Sequence, residues 1–114
     1  MKVIYVAGRY RDPRGAFYIR ANIREAERVA LSIWLEGAAA LCPHLNTALF
    51  DGAFGIPDET WLHGDIEMLS RCDAVYAMPG WESSVGASAE IAHARELGMP
   101  ILFNQFDLLK YLGK

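Results

Sequence analysis

Hydrophobic positions in the first third of the chain follow two different periodicities. Lys2 to Ala7 is a continuous run of β-branched, aromatic and small residues, which is typical of a strand buried on both faces of a sheet. From Ile19 onward, apolar residues recur every three or four positions as far as Gly37, and this spacing predicts a helix. The polar stretch between them, Gly8 to Phe17, is predicted to be a loop.

The rest of the chain repeats this succession of strand and helix. The predicted elements are a strand over Ala38 to Cys42, a loop over His44 to Pro57 with a turn at Asp51-Gly52, a helix from an N-cap at Asp58 to about Arg71, a strand over Ala74 to Met78, a helix over Ser84 to Leu97, a strand over Pro100 to Phe103 and a tail helix over Phe106 to Leu112. Apolar strands that alternate with helices predict an α/β fold, a three-layer flavodoxin-like doubly wound parallel sheet with strand order 2-1-3-4(-5). Residues 1–114 are predicted to form a single domain.

This strand order also predicts where a ligand binds. In open parallel sheets, ligands bind outside the carboxyl ends of the strands, at the point where the strand order reverses. Here that point lies between the first and third strands. The loops Gly8 to Arg14 and Pro79 to Gly86 are therefore expected to form the site.

Composition and charge exclude several classes of protein. With 53% hydrophobic residues and no apolar run near the roughly 20 residues of a membrane span, we expect no membrane partner. A net charge of −3 gives no broad basic surface for a nucleic acid polymer. The first residues lack a signal-peptide pattern, so a cytoplasmic location is expected. Cys42 and Cys72 belong to no Cys/His cluster and are predicted to be buried reduced thiols, with no metal and no cofactor.

Two carboxylates fall on the apolar faces of their predicted helices. On a helical wheel Asp65 lies between Trp61 and Leu69, and small or apolar residues surround Glu90, whereas His63 projects toward solvent. Buried carboxylates are uncommon because an unpaired charge costs several kcal/mol to desolvate, so two in one small domain indicate a functional site. A purely structural alternative stays open, in which Glu90 pairs with a loop arginine and Asp65 with backbone amides.

The first loop offers cations and an aromatic ring beside the expected site. Gly8 would allow the backbone to approach a ligand closely, and Arg9 and Arg11 could bind a phosphate. The loop is neither a Walker loop nor a dinucleotide fingerprint, and arginines in loops are usually solvated. Tyr10 could stack on a ligand or simply pack.

The second loop opens a helix whose N-terminal amides favour an anion. Ser83 or Ser84 could donate to that anion or act only as the N-cap, and Gly86 lies in the same first turn. Trp81 could stack on a base or ribose, although an aromatic residue in this position is as often a packing residue.

Several segments resemble one known superfamily over nearly the whole chain. They are Val3 to Arg11 (VIYVAGRYR), Gly64-Asp65, Cys72 to Val75 (CDAV) and Met78 to Pro100 (MPGWESSVGASAEIAHARELGMP). Together they resemble the nucleoside 2-deoxyribosyltransferase-like superfamily, which includes nucleoside monophosphate N-glycosidases and a phage and bacterial branch with a similar P-G-W-x-x-S-x-G-A-x-x-E segment.

The resemblance implies roles for individual residues. Glu90 corresponds to the family's nucleophilic glutamate, and Asp65 to an aspartate that orients it or helps to protonate the departing base. Ser84 stands where deoxyribosyltransferases carry an aspartate and monophosphate hydrolases a phosphate-binding serine. Two positions depart from the hydrolases, with Arg9 in place of a serine and Ser88 in place of a glycine.

The expected activity is therefore cleavage of the N-glycosidic bond of a (deoxy)nucleoside 5′-monophosphate through a covalent glycosyl-glutamate. Arg9, Arg11 and Ser84 would hold the phosphate, and Trp81 or Tyr10 would stack on the base. The alternatives are a deoxyribosyltransferase, a nucleotide-binding module without chemistry, and an interaction protein on the same fold. The expected partners are a small nucleotide or nucleoside and further copies of the chain, as a homodimer or higher homo-oligomer.

Overall fold

Four strands form one parallel sheet in the order β2-β1-β3-β4 in the computed structural model, which describes residues 1–50 and 52–114. The strands are β1 (Val3–Ala7), β2 (Ala39–Leu41), β3 (Ala74–Ala77) and β4 (Ile101–Leu102). β1 pairs in parallel with both β2 and β3, and β3 pairs with β4. The predicted α/β fold and strand order are thus confirmed, and the order reverses between β1 and β3.

Helices cover both faces of this sheet. They are α1 (Ala16–Leu35), α2 (Pro43–Asn46), α3 (Asp58–Leu69), α4 (Val85–Glu96) and α5 (Gln105–Tyr111). Alternate β1 residues enter different cores: Ile4 and Val6 pack with α1 and α5, while Tyr5 and Ala7 pack with α3 and α4. Because side chains alternate across a strand, a continuous apolar run is what a central strand between two helical layers requires.

The long connection after β2 differs from the single loop predicted for it. Pro43 starts α2, where its missing N–H costs nothing, and a 3₁₀ turn follows at Ala53–Gly55. Asp51 of the predicted Asp51-Gly52 turn lies outside the described residues, whereas Gly52 has a left-handed backbone (φ 75°).

The N-cap residues of α3 and α4 can be compared with the predicted ones. Asp58 is the first residue of α3 rather than its N-cap, because Pro57 occupies the cap position and the Asp58 carboxylate pairs with Arg11 instead. Ser84 does cap α4, since its hydroxyl oxygen accepts from the Ala87 N–H at 3.1 Å.

Within the described residues, no helix is both long and apolar enough to cross a membrane. Cys42 is buried and Cys72 half-buried, and both are free thiols. Burial raises the pKa of each thiol to about 11, so both stay protonated at neutral pH.

Candidate active site

A cavity of about 540 Å³ opens at the carboxyl ends of β1 and β3, where the strand order reverses. Its volume is in the range of small-molecule sites. The described residues of its wall are Val6, Gly8, Tyr10, Arg11, Pro43, His44, Thr47, Asp58, Glu59, Trp61, Leu62, Asp65, Ser83, Ser84, Val85, Gly86, Ala87 and Glu90. Both loops named from the sequence contribute to it, together with α2, α3 and α4.

Glu90 is a buried carboxylate in the wall of this cavity. It is 7% exposed, and the Tyr5 hydroxyl on β1 donates a hydrogen bond to its Oε2. Burial raises the pKa of Glu90 to about 8, the Tyr5 hydrogen bond lowers it, and the charge of Asp65 raises it further. The partner is therefore a neutral hydroxyl rather than the loop arginine of the structural alternative.

Tyr5 was not singled out in the sequence, although a signal was present. It is fully buried, and burial together with the nearby Glu90 and Asp65 carboxyls raises the pKa of its phenol, which therefore remains an O–H donor. A tyrosine in an otherwise aliphatic buried strand needs a hydrogen-bond partner for its hydroxyl. The Glu90 carboxylate, on α4, is that hydrogen-bond partner.

Asp65 lies on α3, half-buried in the same wall. Burial raises its pKa to about 6, and its charge acts on both Tyr5 and Glu90. Both carboxyls therefore hold a proton more tightly than ordinary carboxyls do, and the effect is larger for Glu90, which is the more deeply buried.

Only some residues of the first loop line the cavity. Tyr10 and Arg11 line the cavity, and Arg11 forms an ion pair with Asp58 at 2.8 Å. Arg9 is not among the described residues of the wall, and its guanidinium carbon would lie 4.0 Å from a Cβ at Gly80. Its Nε is buried and has no hydrogen-bond partner in the described part of the chain.

Gly8 reaches the cavity wall, but packing explains its lack of a side chain. A Cβ at this position would lie 2.7 Å from the Sδ and 3.1 Å from the Cβ of Met78. Met78, which follows β3, therefore occupies the space that a side chain at position 8 would need. The close approach is to Met78 of the neighbouring strand end, whereas the sequence had suggested an approach to a ligand.

The second loop brings Ser84 and Gly86 to the cavity and holds Trp81 elsewhere. Ser84 lines the wall while it caps α4, and a hydroxyl that accepts a bond still has its own proton to donate. A Cβ at Gly86 would meet no other atom within 4 Å, so this residue faces open space. Trp81 packs against the Tyr5 core under the Arg95 guanidinium, which favours the packing alternative. Ser88 Oγ bonds the Trp81 carbonyl at 3.3 Å and ties this turn to α4.

His44 is a wall residue that the sequence analysis did not single out. It is 6% exposed, its Nε2 lies 2.9 Å from the Arg9 carbonyl oxygen, and its ring meets Tyr10 edge-on. In the sequence it falls in a stretch predicted to be a loop, where a single histidine carries no periodic signal. His63, by contrast, is exposed as expected.

The arrangement of the sheet and its helices matches that of known structures. The chain has the fold of nucleoside 2-deoxyribosyltransferases. A 2-deoxyribosyltransferase from Bacillus psychrosaccharolyticus superposes with a TM-score of 0.64 and 16% identity over 87% of this chain and 69% of that one. One from Leishmania mexicana gives a TM-score of 0.62 and 21% identity over 90% of this chain and 63% of that one, so the chain spans less than two thirds of this relative.

At the level of family, residues 2–103 match the family described as a domain of unknown function, DUF4406. The chain belongs to this family. No curated protein matches the sequence.

Proposed function

We propose that this protein cleaves the N-glycosidic bond of a (deoxy)nucleoside 5′-monophosphate, with Glu90 as the nucleophile. The observation that carries the proposal is the placement of Glu90: a buried carboxylate, held by Tyr5, in the wall of a cavity large enough for a nucleotide. Strongly perturbed carboxyl groups in a concave site are typical of catalytic residues. The likeness in fold to deoxyribosyltransferases supports the same chemistry.

The first step forms a bond from a Glu90 carboxylate oxygen to C1′ as the bond from C1′ to the base nitrogen breaks. The bond's electron pair leaves with the base, and the Asp65 carboxylic acid donates a proton to it. In the second step water attacks C1′, the glycosyl ester breaks, and Asp65 takes the proton that water loses. The products are the free base and the sugar phosphate, and both carboxyls return to their starting states.

The pKa order of the two carboxyls constrains this mechanism. In the free protein Glu90 binds a proton more tightly than Asp65 does, since burial raises the pKa of Glu90 to about 8 and that of Asp65 to about 6. Attack requires the opposite arrangement, with Glu90 ionised and Asp65 protonated. Positive charge that develops at C1′ stabilises the Glu90 carboxylate, so the proton moves toward Asp65 as the transition state forms.

The phosphate would lie between Arg11 and the start of α4. Arg11, Ser84 and the amides of the first turn, including Gly86, belong to the same cavity wall. Helix N-terminal amides and a serine hydroxyl both donate to phosphate oxygens. Arg9 and Trp81 take no direct part in this proposal, because neither is among the described residues of the wall.

A deoxyribosyltransferase acting on unphosphorylated nucleosides is the second candidate. Asp58 and Glu59 also line the cavity, and their negative charge disfavours a phosphate. In this reaction a second base, rather than water, attacks C1′ of the glycosyl-glutamate.

The test follows free base by chromatography while the protein is incubated with ribo- and deoxyribonucleoside 5′-monophosphates and the parent nucleosides. Glu90→Gln is the inactive variant, because the amide keeps the acceptor for Tyr5 and loses the nucleophile. Glu96→Gln, an exposed position on the same helix, is the matched control. Base release by the wild type and the control alone supports the glycosidase.

Three other outcomes separate the alternatives. Release only when a second base is added supports the transferase. Nucleotide binding without release, unchanged in Glu90→Gln, indicates a binding module. Neither binding nor release for any compound contradicts all three and favours an interaction protein.

We further propose that the protein assembles as a homo-oligomer. Three large apolar side chains are exposed in the stretch after α2 and at the start of α4: Leu49 (95%), Phe54 (101%) and Val85 (87%), of which Val85 also lines the cavity. A second copy covering these side chains would remove apolar surface from water. Sedimentation velocity at micromolar concentration tests this, and a single species of 12.7 kDa would contradict it.

A further inference from the structure

His44 connects two parts of the cavity that are far apart in sequence. It is the second residue of α2, and its Nε2 contacts the carbonyl oxygen of Arg9 at 2.9 Å, across a separation of 35 residues. Its ring also meets the Tyr10 ring edge-on, with 5.3 Å between centroids. Both contacts fall on the first loop, at or immediately before Tyr10 and Arg11, which line the cavity.

The hydrogen bond defines the state of the imidazole. A carbonyl oxygen only accepts, so Nε2 must carry the proton and donate it. Burial lowers the pKa of His44, so the ring is neutral at physiological pH, with Nδ1 unprotonated.

A second side chain holds the next carbonyl of the same loop. The Nδ2 of Asn22, on α1, donates to the Tyr10 carbonyl oxygen at 3.1 Å. Two consecutive peptide groups are thus bound by side chains from two different helices. Loops normally show more freedom than the elements they connect, and this loop is restrained just where it meets the cavity.

We infer that His44 is a positioning residue of the proposed active site, which holds the Arg9 peptide and the Tyr10 ring so that Tyr10 and Arg11 form the cavity wall. The inference rests on the proposed function for its substrate. His44 does not touch the reacting atoms in this role. Its effect should therefore fall mainly on substrate binding, while the chemistry at Glu90 continues.

Two substitutions separate the contacts that His44 makes. His44→Gln places an amide N–H close to the position of Nε2, so the donor to Arg9 remains but the ring is lost. His44→Phe keeps a ring against Tyr10 and loses the donor. Asn22→Ala removes the second restraint on the loop at a side chain that is not among the described residues of the cavity wall, and it serves as the comparison.

The first measurement is amide hydrogen exchange of residues 8–11, which needs no substrate. We expect faster exchange in His44→Phe than in the wild type and a return toward the wild-type rate in His44→Gln. A long-range ¹H–¹⁵N spectrum of the wild type should show a neutral His44 protonated at Nε2. Unchanged exchange in His44→Phe, or protonation at Nδ1, would overturn the inference whether or not the protein proves to be an enzyme.

The second measurement uses the four 2′-deoxynucleoside 5′-monophosphates as substrates. His44→Phe should raise KM about 5- to 10-fold with kcat changed less than about 2-fold, in keeping with one lost hydrogen bond. His44→Gln should recover most of the affinity. If KM is unchanged, or if kcat and the melting temperature fall together in both variants, His44 is only a structural residue. If the wild type shows no base release or binding, the proposed function fails while the exchange result still decides the loop's restraint.

Discussion

Replacing Glu90 by Gln is expected to stabilise the folded protein increasingly as the pH rises. The buried carboxyl has a pKa of about 8 in the folded protein, against an ordinary value of 4.5. Glutamine has nearly the same shape and keeps an oxygen that accepts from Tyr5, but it cannot ionise. The variant therefore removes the cost of a buried charge and leaves the packing in place.

The size and sign of the effect follow from the proton equilibrium. The folded state binds the Glu90 proton more tightly than the unfolded chain does, so the stability of the wild type falls as the pH rises from about 4.5 to about 8. At roughly 1.4 kcal/mol per pKa unit, the loss reaches a few kcal/mol. Because Glu90 is only 7% exposed, solvent screening reduces this little.

Urea unfolding followed by circular dichroism at pH 5, 7 and 8.5 measures the difference between the two proteins. We expect Glu90→Gln to be nearly as stable as the wild type at pH 5 and more stable by a few kcal/mol at pH 8.5. Glu96→Gln, at an exposed position of the same helix, should show no such trend. A difference that stays constant with pH, or a variant that is less stable at pH 8.5, would refute the assignment of a buried, proton-binding Glu90.

Three further predictions concern activity and binding. The rate of base release should follow a bell-shaped pH profile with limbs near pH 6 and pH 8. Tyr5→Phe should move the upper limb to higher pH, because the Tyr5 hydrogen bond lowers the pKa of Glu90. A profile that does not shift in this variant would contradict the prediction. Gly86→Ala should leave the melting temperature unchanged or slightly raised, since the added carbon meets open space. The same substitution should weaken nucleotide binding measured by calorimetry. Unimpaired binding would mean that the ligand lies elsewhere. Asp58→Asn should raise the preference for monophosphates over nucleosides about 2- to 5-fold in kcat/KM, because the substitution removes the carboxylate paired with Arg11. Glu59→Gln, at a wall position outside this ion pair, should change the preference less. Equal effects of the two substitutions would contradict a special role of the Arg11–Asp58 ion pair.

Much of the scaffold could be predicted from local patterns. The continuous apolar run of β1 and the three-and-four spacing of α1 each follow from the layer that the element occupies, and right-handed crossovers then restrict the strand order. The boundaries of the elements differ from the predicted ones by one to three residues; at Asp58, for example, the N-cap position belongs to Pro57.

The two carboxylates of the cavity were also predictable, because each lies on the apolar face of an amphipathic helix. A helical wheel reports which side of a helix faces the core, and it placed Glu90 and Asp65 inward without any knowledge of their neighbours. What the wheel could not show was the partner of Glu90, since Tyr5 lies 85 residues away in sequence.

By itself, therefore, the sequence determined the α/β architecture, the sheet edge that holds the cavity and the inward direction of its two acids, all of which depend on periodicity within single elements. The tertiary structure alone decided that Tyr5 donates to Glu90, that His44 contacts the Arg9 carbonyl, and that Arg9 and Trp81 are not among the described residues of the cavity wall. These contacts join residues on different elements, and their geometry depends on how strands and helices pack against each other. Nothing in the spacing along the chain encodes that packing.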